Sequence, residues 1–297
     1  MQYNPVSNLA SIQSELEGTW KNFDDVYATL SPHDWSRKFG TTWTYADQPY
    51  HLAYFDRMHA DYIVKGTNVP VAEQIVFNTI NKINEWNAKE FAKKQAGHTY
   101  ERSLQLMRES RDVVRSLTSK MTDKNLSEKA WNPLLCGWVT KAIMLKSILV
   151  HNTGEYYKLW FRTGKKGPMP NPAVVHLRLE LMMNFMSLML NKEAAANKHF
   201  TLVWNFDGPG GGAWTFQVHE GQCTVSAVAA EHPNLMITMK PETFQKMVAK
   251  MESPVWLMLS GQVKIRGFGA MGAFGKLFPE PPPDKVIIEG PGSFAIG

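Results

Sequence analysis

Residues 200–226 read FTLVWNFDGPGGGAWTFQVHEGQCTVS, and their period decides the fold of the second half of the chain. Phe200, Leu202, Trp204 and Phe206 recur at every second position, so a strand places all four on one face. The run Asp207-Gly208-Pro209-Gly210-Gly211-Gly212 is a turn, and Trp214, Phe216 and Val218 resume the alternation. Glu220-Gly221 turns the chain again into 222–227. His232-Pro233-Asn234 precedes a further strand at 235–239. These spacings predict the hairpins of a small, mostly antiparallel sheet.

On either side of this stretch the period becomes helical. A helix is expected over 173–191, with Leu177, Leu181, Asn184, Phe185 and Leu188 at helical spacing. Pro241 suits the first position of another, in which Phe244, Met247, Val248 and Met251 form one stripe. Ser253-Pro254 opens a short helix that Gly261 ends, 263–266 reads as one more strand, and 270–278 as a last helix. The helices carry Met183, Met186, Met189, Met247, Met251, Met258 and Met271. Two readings of that apolar surplus stand side by side. It fills a core, or it surrounds a hollow that takes a fatty acyl or other hydrophobic ligand, for which flexible, polarizable Met is suited. On the second reading the lining residues are Phe244, Val248, Met251, Trp256, Leu259, Met271 and Phe274. Burying one methylene is worth about 0.8 kcal/mol, so an acyl chain binds well only if the hollow is open.

The first half reads as helices. Amphipathic segments are expected over 11–30, stopped by Ser31-Pro32, and over 47–64, stopped by Gly66. A short piece at 71–83 leads into one long polar helix at 85–120, and a last helix runs over 134–162. Four long helices with modest connections predict an up-and-down four-helix bundle. The fold class is therefore α+β in two domains: the bundle at 1–164, a linker at 165–172 (KKGPMPNP), the helix-covered sheet at 173–279, and a Pro/Gly-rich, extended tail at 280–297.

Composition narrows the function. The chain has 297 residues, 44% of them hydrophobic, and a net charge of +5. Its basic residues are scattered apart from Arg162 to Lys166, whereas a nucleic-acid surface needs a stripe of them. Transient contact with anionic membrane surfaces and a homodimer are both compatible with the sequence. Two distant cysteines, Cys136 and Cys223, give no disulfide framework, which favours a reducing, cytoplasmic setting. The first residues lack the pattern of a signal peptide, the last ones lack a peroxisomal tripeptide, and no apolar run approaches the roughly 20 residues of a membrane span.

One constellation in the bundle carries chemistry. Met144, Ile148, His151 and Glu155 follow a 4-3-4 spacing, which puts a histidine and a carboxylate one turn apart on an apolar face. His51, Phe55, Met58 and Tyr62 make a similar stripe. His51, His151 and Glu155 on facing helices suit a divalent metal with a position left open, or a hydrogen-bonded core pair with no metal at all. His33, His59, His98, His176, His199, His219 and His232 show no ligand-like spacing and are expected at the surface or in turns. No general base is identifiable, and the catalytic residues stay unknown.

Two resemblances add to these readings. From 173 to 279 the chain resembles a sterol carrier protein 2 domain. The likeness lies in Val203-Trp204-Asn205-Phe206-Asp207-Gly208-Pro209-Gly210-Gly211 with Trp214, in Leu235 to Met239 followed by Pro241-Glu242-Thr243-Phe244, and in Leu259-Ser260-Gly261-Gln262-Val263-Lys264-Ile265-Arg266-Gly267. It implies an apolar tunnel for fatty acyl chains, sterols or other lipids. The first half resembles the DinB family of helical bundles through WTYADQPYHLA at 43–53 and Leu149-Val150-His151-Asn152-Thr153-Gly154-Glu155. That likeness implies His51 and His151 as metal ligands, with Glu155 standing where the family has a third histidine. Zinc, nickel or iron fits such a set, in a thiol-dependent transferase or isomerase, or a hydrolase. The pairing of the two halves resembles the mycothiol-dependent maleylpyruvate isomerases. The leading expectation is a protein that binds a lipid and carries or presents it; the alternative is the metal-dependent enzyme, and a third is an interaction module with neither ligand nor metal.

Overall fold

The computed structural model describes residues 6–39, 43–94, 97–164, 166–288 and 290. Lys165 in the expected linker, both chain ends and most of the last part of the expected tail lie outside the described residues. The chain divides into two compact units. One is built from Val6–Pro170 with Pro282–Pro291, the other from Asn171–Pro281.

The first unit is a helical bundle. Its elements are α1 (Leu9–Tyr27), a short α2 (Pro32–Ser36), α3 (Asp47–Lys65), α4 (Ile80–Ala92), α5 (Tyr100–Ser119), a hairpin of β1 (Lys129–Asn132) and β2 (Gly137–Thr140), and α6 (Lys141–Arg162). The four long helices α1, α3, α5 and α6 make the four-helix core: α3 packs along α5 and α6, and α1 along α6. Local chemistry sets their ends. Asn8 caps α1 by accepting from Ser11 N at 2.8 Å. Thr140 caps α6, and Gly66, at φ 54°, stops α3. α6 buries residues on every side, from Met144 and Leu145 to Tyr156 and Tyr157, because it lies between two neighbours.

Two departures from the sequence reading occur here. The polar stretch expected as one helix over 85–120 is two, because Gly97 takes a left-handed φ of 80° and Thr99 caps a new start at α5. The helix expected to begin at 134 begins at Lys141, after the hairpin. There Trp131 opposes Trp138 across the strands, the rings 5.4 Å apart. Its turn is set by Asn132 Oδ1, which accepts from Leu135 N at 2.9 Å.

The second unit is the helix-covered sheet. After α7 (Pro172–Leu188) and α8 (Lys192–Ala195) come β3 (His199–Phe206), β4 (Gly212–His219), β5 (Gln222–Ser226), β6 (Leu235–Met239), α9 (Pro241–Val248), α10 (Pro254–Leu259), β7 (Val263–Arg266) and α11 (Met271–Leu277). The strand order is β5-β4-β3-β6-β7. All pairings are antiparallel except β3 with β6. The expected face is the buried one: Phe200, Leu202, Trp204 and Phe206 all sit below a tenth exposure, and Trp204 pairs with Trp214. α7 covers β4 and β5.

The last described residues, 282–288, form no helix or strand and belong to the bundle unit. Asn81 N donates to Pro283 O at 2.9 Å, Ile287 N donates to Asn78 O at 2.8 Å, and the Ile288 side chain is buried.

Gly267 ends β7 at φ 82°, and a Cβ there would stand 2.1 Å from Asn234 O, at the mouth of β6. A side chain therefore meets both a backbone clash and a disfavoured conformation. Gly267→Ala is expected to destabilise the protein by about 2 kcal/mol or more, measured by denaturant unfolding followed at the sheet's tryptophans.

Candidate metal centre

The bundle brings the three sequence-selected residues together. α3 supplies His51 and α6 supplies His151 and Glu155. Their ligand atoms all lie within 4.8 Å of one another. The two imidazole Nε2 atoms face each other at 3.0 Å. His51 and Glu155 are buried, His151 partly so.

Each of the three residues is held by side chains that the sequence reading did not assign to a site. The Tyr54 hydroxyl lies 2.7 Å from His51 Nδ1 and donates its proton to Asn87 Oδ1 at 2.9 Å. Having given its one hydrogen to Asn87, Tyr54 accepts from His51, so Nδ1 carries the imidazole proton. The lone pair of His51 is thereby left on Nε2, toward His151. Phe55 stacks on the His151 ring, with centroids 3.6 Å apart and planes at 13°. The Trp43 ring lies 4.6 Å from that of His51. Glu155 pairs with Lys158. Gln48 donates to the Glu155 backbone carbonyl at 2.8 Å and faces its carboxylate at 3.4 Å, and Gln48 Oε1 accepts from the Tyr27 hydroxyl at 2.9 Å. Gln48 and Tyr54 lie one turn to either side of His51 on α3, a spacing that could have marked them.

The electrostatics favour a ligand set over a charged pair. Burial drives the His51 imidazole down to about 4, Glu155 opposes that and Lys158 adds to it. His51 is therefore neutral near neutral pH. Burial raises the Glu155 carboxyl, yet Lys158, His51 and Gln48 together outweigh it and hold the group below its ordinary value. A neutral imidazole with its lone pair free and an ionised carboxylate are the forms in which a metal is bound.

Deeper on the same helices lies a second polar group. Asp56 on α3 and Asn152 on α6 are both fully buried, and Asn152 Nδ2 donates to Asp56 Oδ1 at 2.7 Å. His59, expected at the surface, is instead in the core with Nδ1 donating to Phe55 O at 3.1 Å; it lies on the inward face of α3. Burial pushes the Asp56 carboxyl up to about 7, against the lowering effects of Asn152 and Arg111. Arg111, on α5, bonds Asp24 at 2.9 Å. Asp56 Oδ2 and Asn152 Oδ1 have no hydrogen-bond partner among the described residues. A buried carboxylate oxygen with no donor is costly, which favours the protonated form of Asp56.

Outside the core, a cleft of about 360 Å³ opens along α3 and α4, with Tyr54, Trp86, Arg57 and Lys93 in its wall. Tyr54 thus touches both the cleft and His51.

Of the seven residues expected to line an apolar hollow in the sheet unit, Phe244 and Phe274 flank Trp204, at ring distances of 5.6 and 6.2 Å. Met251 and Met271 are half-buried. Val248, Trp256 and Leu259 are instead exposed, at 41%, 59% and 76%. α10 is one and a half turns long and seats Leu257 inward, which turns its neighbours out.

Residues 15–158 match the DinB superfamily profile, and residues 169–284 match the alkyl sulfatase C-terminal profile. No curated protein matches the sequence. Among solved structures, mycothiol-dependent maleylpyruvate isomerase aligns over 92% of this chain and 96% of its own, with a TM-score of 0.52 and 11% identity. At that identity the likeness shows the fold alone: a DinB-like bundle joined to a sheet-containing second part. The sec-alkylsulfatase Pisa1 from Pseudomonas sp. aligns over 49% of this chain with 13% identity and a TM-score of 0.30, and this chain spans 26% of its length. Sterol carrier protein 2 from Yarrowia lipolytica aligns over 33% of this chain and 91% of its own, with 16% identity and a TM-score of 0.26. No described helix is long and apolar enough to cross a membrane.

The Asp56 group gives a pH-dependent outcome. A carboxyl raised in the folded state contributes stability that is full below its unfolded pKa of about 3.9 and is lost as pH rises to about 7. Asp56→Asn keeps an oxygen to accept from Asn152 Nδ2 without the titration. Its stability relative to wild type is therefore expected to rise between about pH 4 and pH 7, by on the order of 3 kcal/mol. Urea unfolding of both proteins across that range measures it.

Proposed function

We propose that the protein is a metal-dependent enzyme of the DinB-like class, with His51, His151 and Glu155 as the ligands. The observation that carries this reading is the convergence of those three side chains, from α3 and α6, to within 4.8 Å of one another. Two histidines and a glutamate, with a fourth position left to water or substrate, are a recurrent catalytic zinc set; nickel and iron accept the same donors. A bound divalent ion would lower the pKa of a water or low-molecular-weight thiol at the open position and polarise the substrate. The reaction class is then a thiol-dependent transfer or isomerisation, or a hydrolysis.

The chain's own residues supply the rest. Tyr54 fixes the tautomer of His51, as outer partners of ligating histidines do. Phe55 clamps the plane of His151. Two bare imidazole lone pairs 3.0 Å apart repel, so the pair needs either a shared proton or a cation between its nitrogens. Glu155 is ionised and held at hand by Lys158 and Gln48. The Trp43 and Phe55 rings lie against the two imidazoles and replace part of their contact with water, which strengthens the local fields.

A second reading concerns the sheet unit and is favoured by the match of residues 169–284 to the alkyl sulfatase C-terminal profile. That name points to alkyl chains as the ligand class. On this reading Phe244, Met251, Met271 and Phe274 form the apolar wall around Trp204.

Elemental analysis tests the first reading. Wild type is expected to carry close to one zinc, nickel or iron per chain and His151→Ala to lose it; metal-free wild type, or unchanged content in the variant, overturns it. Native mass spectrometry before and after organic extraction tests the second. An adduct of acyl-lipid mass that disappears on extraction supports it, and the bare chain mass throughout rejects it.

A further inference from the structure

The register of the sheet joins two histidines that no helical or strand spacing connects. His199 opens β3, His219 closes β4, and the two are direct partners across the antiparallel ladder. Glu220 N donates to Lys198 O at 3.3 Å, so the neighbouring pair carries a ladder hydrogen bond. Bonded and non-bonded pairs alternate along such a ladder. His199 and His219 are therefore a non-hydrogen-bonded pair, the kind whose Cα atoms approach to about 4.5 Å. Opposed residues share one face of the sheet, and the two imidazole centroids stand 4.3 Å apart with planes at 82°. Both side chains are exposed. Among the described residues neither ring enters a hydrogen bond, and the carboxylate beside them is that of Glu220, whose Oε2 lies 3.8 Å from His219 Nδ1. The frame is stiff. Glu220 and Gly221 both take positive φ, 48° and 78°, as a two-residue turn of the primed kind requires. Gly221 N is tied to Ala195 O at 2.9 Å.

We propose that His199 and His219 form a two-point surface site for a divalent transition-metal ion: zinc, nickel or copper. Imidazole nitrogen suits these ions, whereas calcium and magnesium call for oxygen ligands. Copper is expected to bind most tightly of the three. The ladder fixes the two Cα atoms, so binding orders only the rings, which turn between rotamers at an exposed position. The Glu220 carboxylate offsets part of the ion's charge. Water takes the remaining positions, which makes the site an exchangeable one rather than a closed structural centre. An ion held by both rings links β3 to β4, and the unfolded chain does not hold the pair together, so binding stabilises the fold. The proposal does not rest on the bundle cluster, whose three residues lie on α3 and α6.

Titration calorimetry with Ni²⁺ tests it, using the full chain with His151→Ala so that the bundle cluster lacks one of its histidines. Close to one ion per chain is expected. Adding His199→Ala or His219→Ala is expected to weaken that binding at least about tenfold in each case, since even the outer partners of a metal ligand are worth roughly 10–100-fold. Removing both is expected to cost less than the sum of the two losses, because either substitution already breaks the two-point grip. Both side chains are exposed, so circular dichroism is expected to be unchanged. A second measurement uses wild type: substoichiometric Cu²⁺ is expected to broaden the magnetic-resonance signals of the His199 and His219 rings together. Binding that either substitution leaves unchanged, loss on replacing only one of the two, or broadening that spares either ring overturns the proposal.

Discussion

Two imidazole nitrogens held 3.0 Å apart inside a helical bundle set the demands on everything around them. Polar side chains removed from water must find partners or cost several kcal/mol each. That requirement explains the otherwise odd company on α3 and α6: a tyrosine whose hydroxyl serves both a histidine and an asparagine, a glutamine that reaches the backbone and side chain of Glu155, and an aromatic ring laid flat on His151. These bonds run between α3 and α6 and tie the two helices at one register.

Glu155 gives the cluster of His51 and His151 a negative charge. On the proposed metal reading, that carboxylate would lower the net charge of a divalent centre by one and soften its pull on a bound water or thiol. It also brings a group that Lys158 already neutralises. On that reading the lysine and an ion would compete for one carboxylate, a tension that an all-histidine set lacks.

Much of this was legible in the residues. The two-residue period from Phe200 to Val218 reported the sheet face directly, because a pleated strand offers no other way to bury Trp204 and Trp214 together. His51, His151 and Glu155 could be paired because a polar residue on an apolar stripe is rare enough to notice. The polar neighbours escaped for the opposite reason. Gln48, Tyr54 and Asp56 lie on a helix with many other polar residues, and only the facing helix decides which of them are buried. His59 was misplaced by the same ambiguity. The β1–β2 hairpin was missed because four-residue strands are too short to show a period, and Trp131 and Trp138 read equally well as helix-start residues. On α10 the pattern Val-Trp-Leu-Met-Leu is apolar all round, so no spacing could say which side would face in.

The segment that bonds to Asn78 and Asn81 has a consequence for how this molecule can be taken apart. Residues 282–288 come after the sheet in the chain but belong to the bundle unit, and Ile288 is buried. A fragment cut after the bundle's last helix would lack that cover and leave two backbone groups bare. The two halves are consecutive as text but interleaved as folding units, and a single scissor cut cannot give each its full complement of parts.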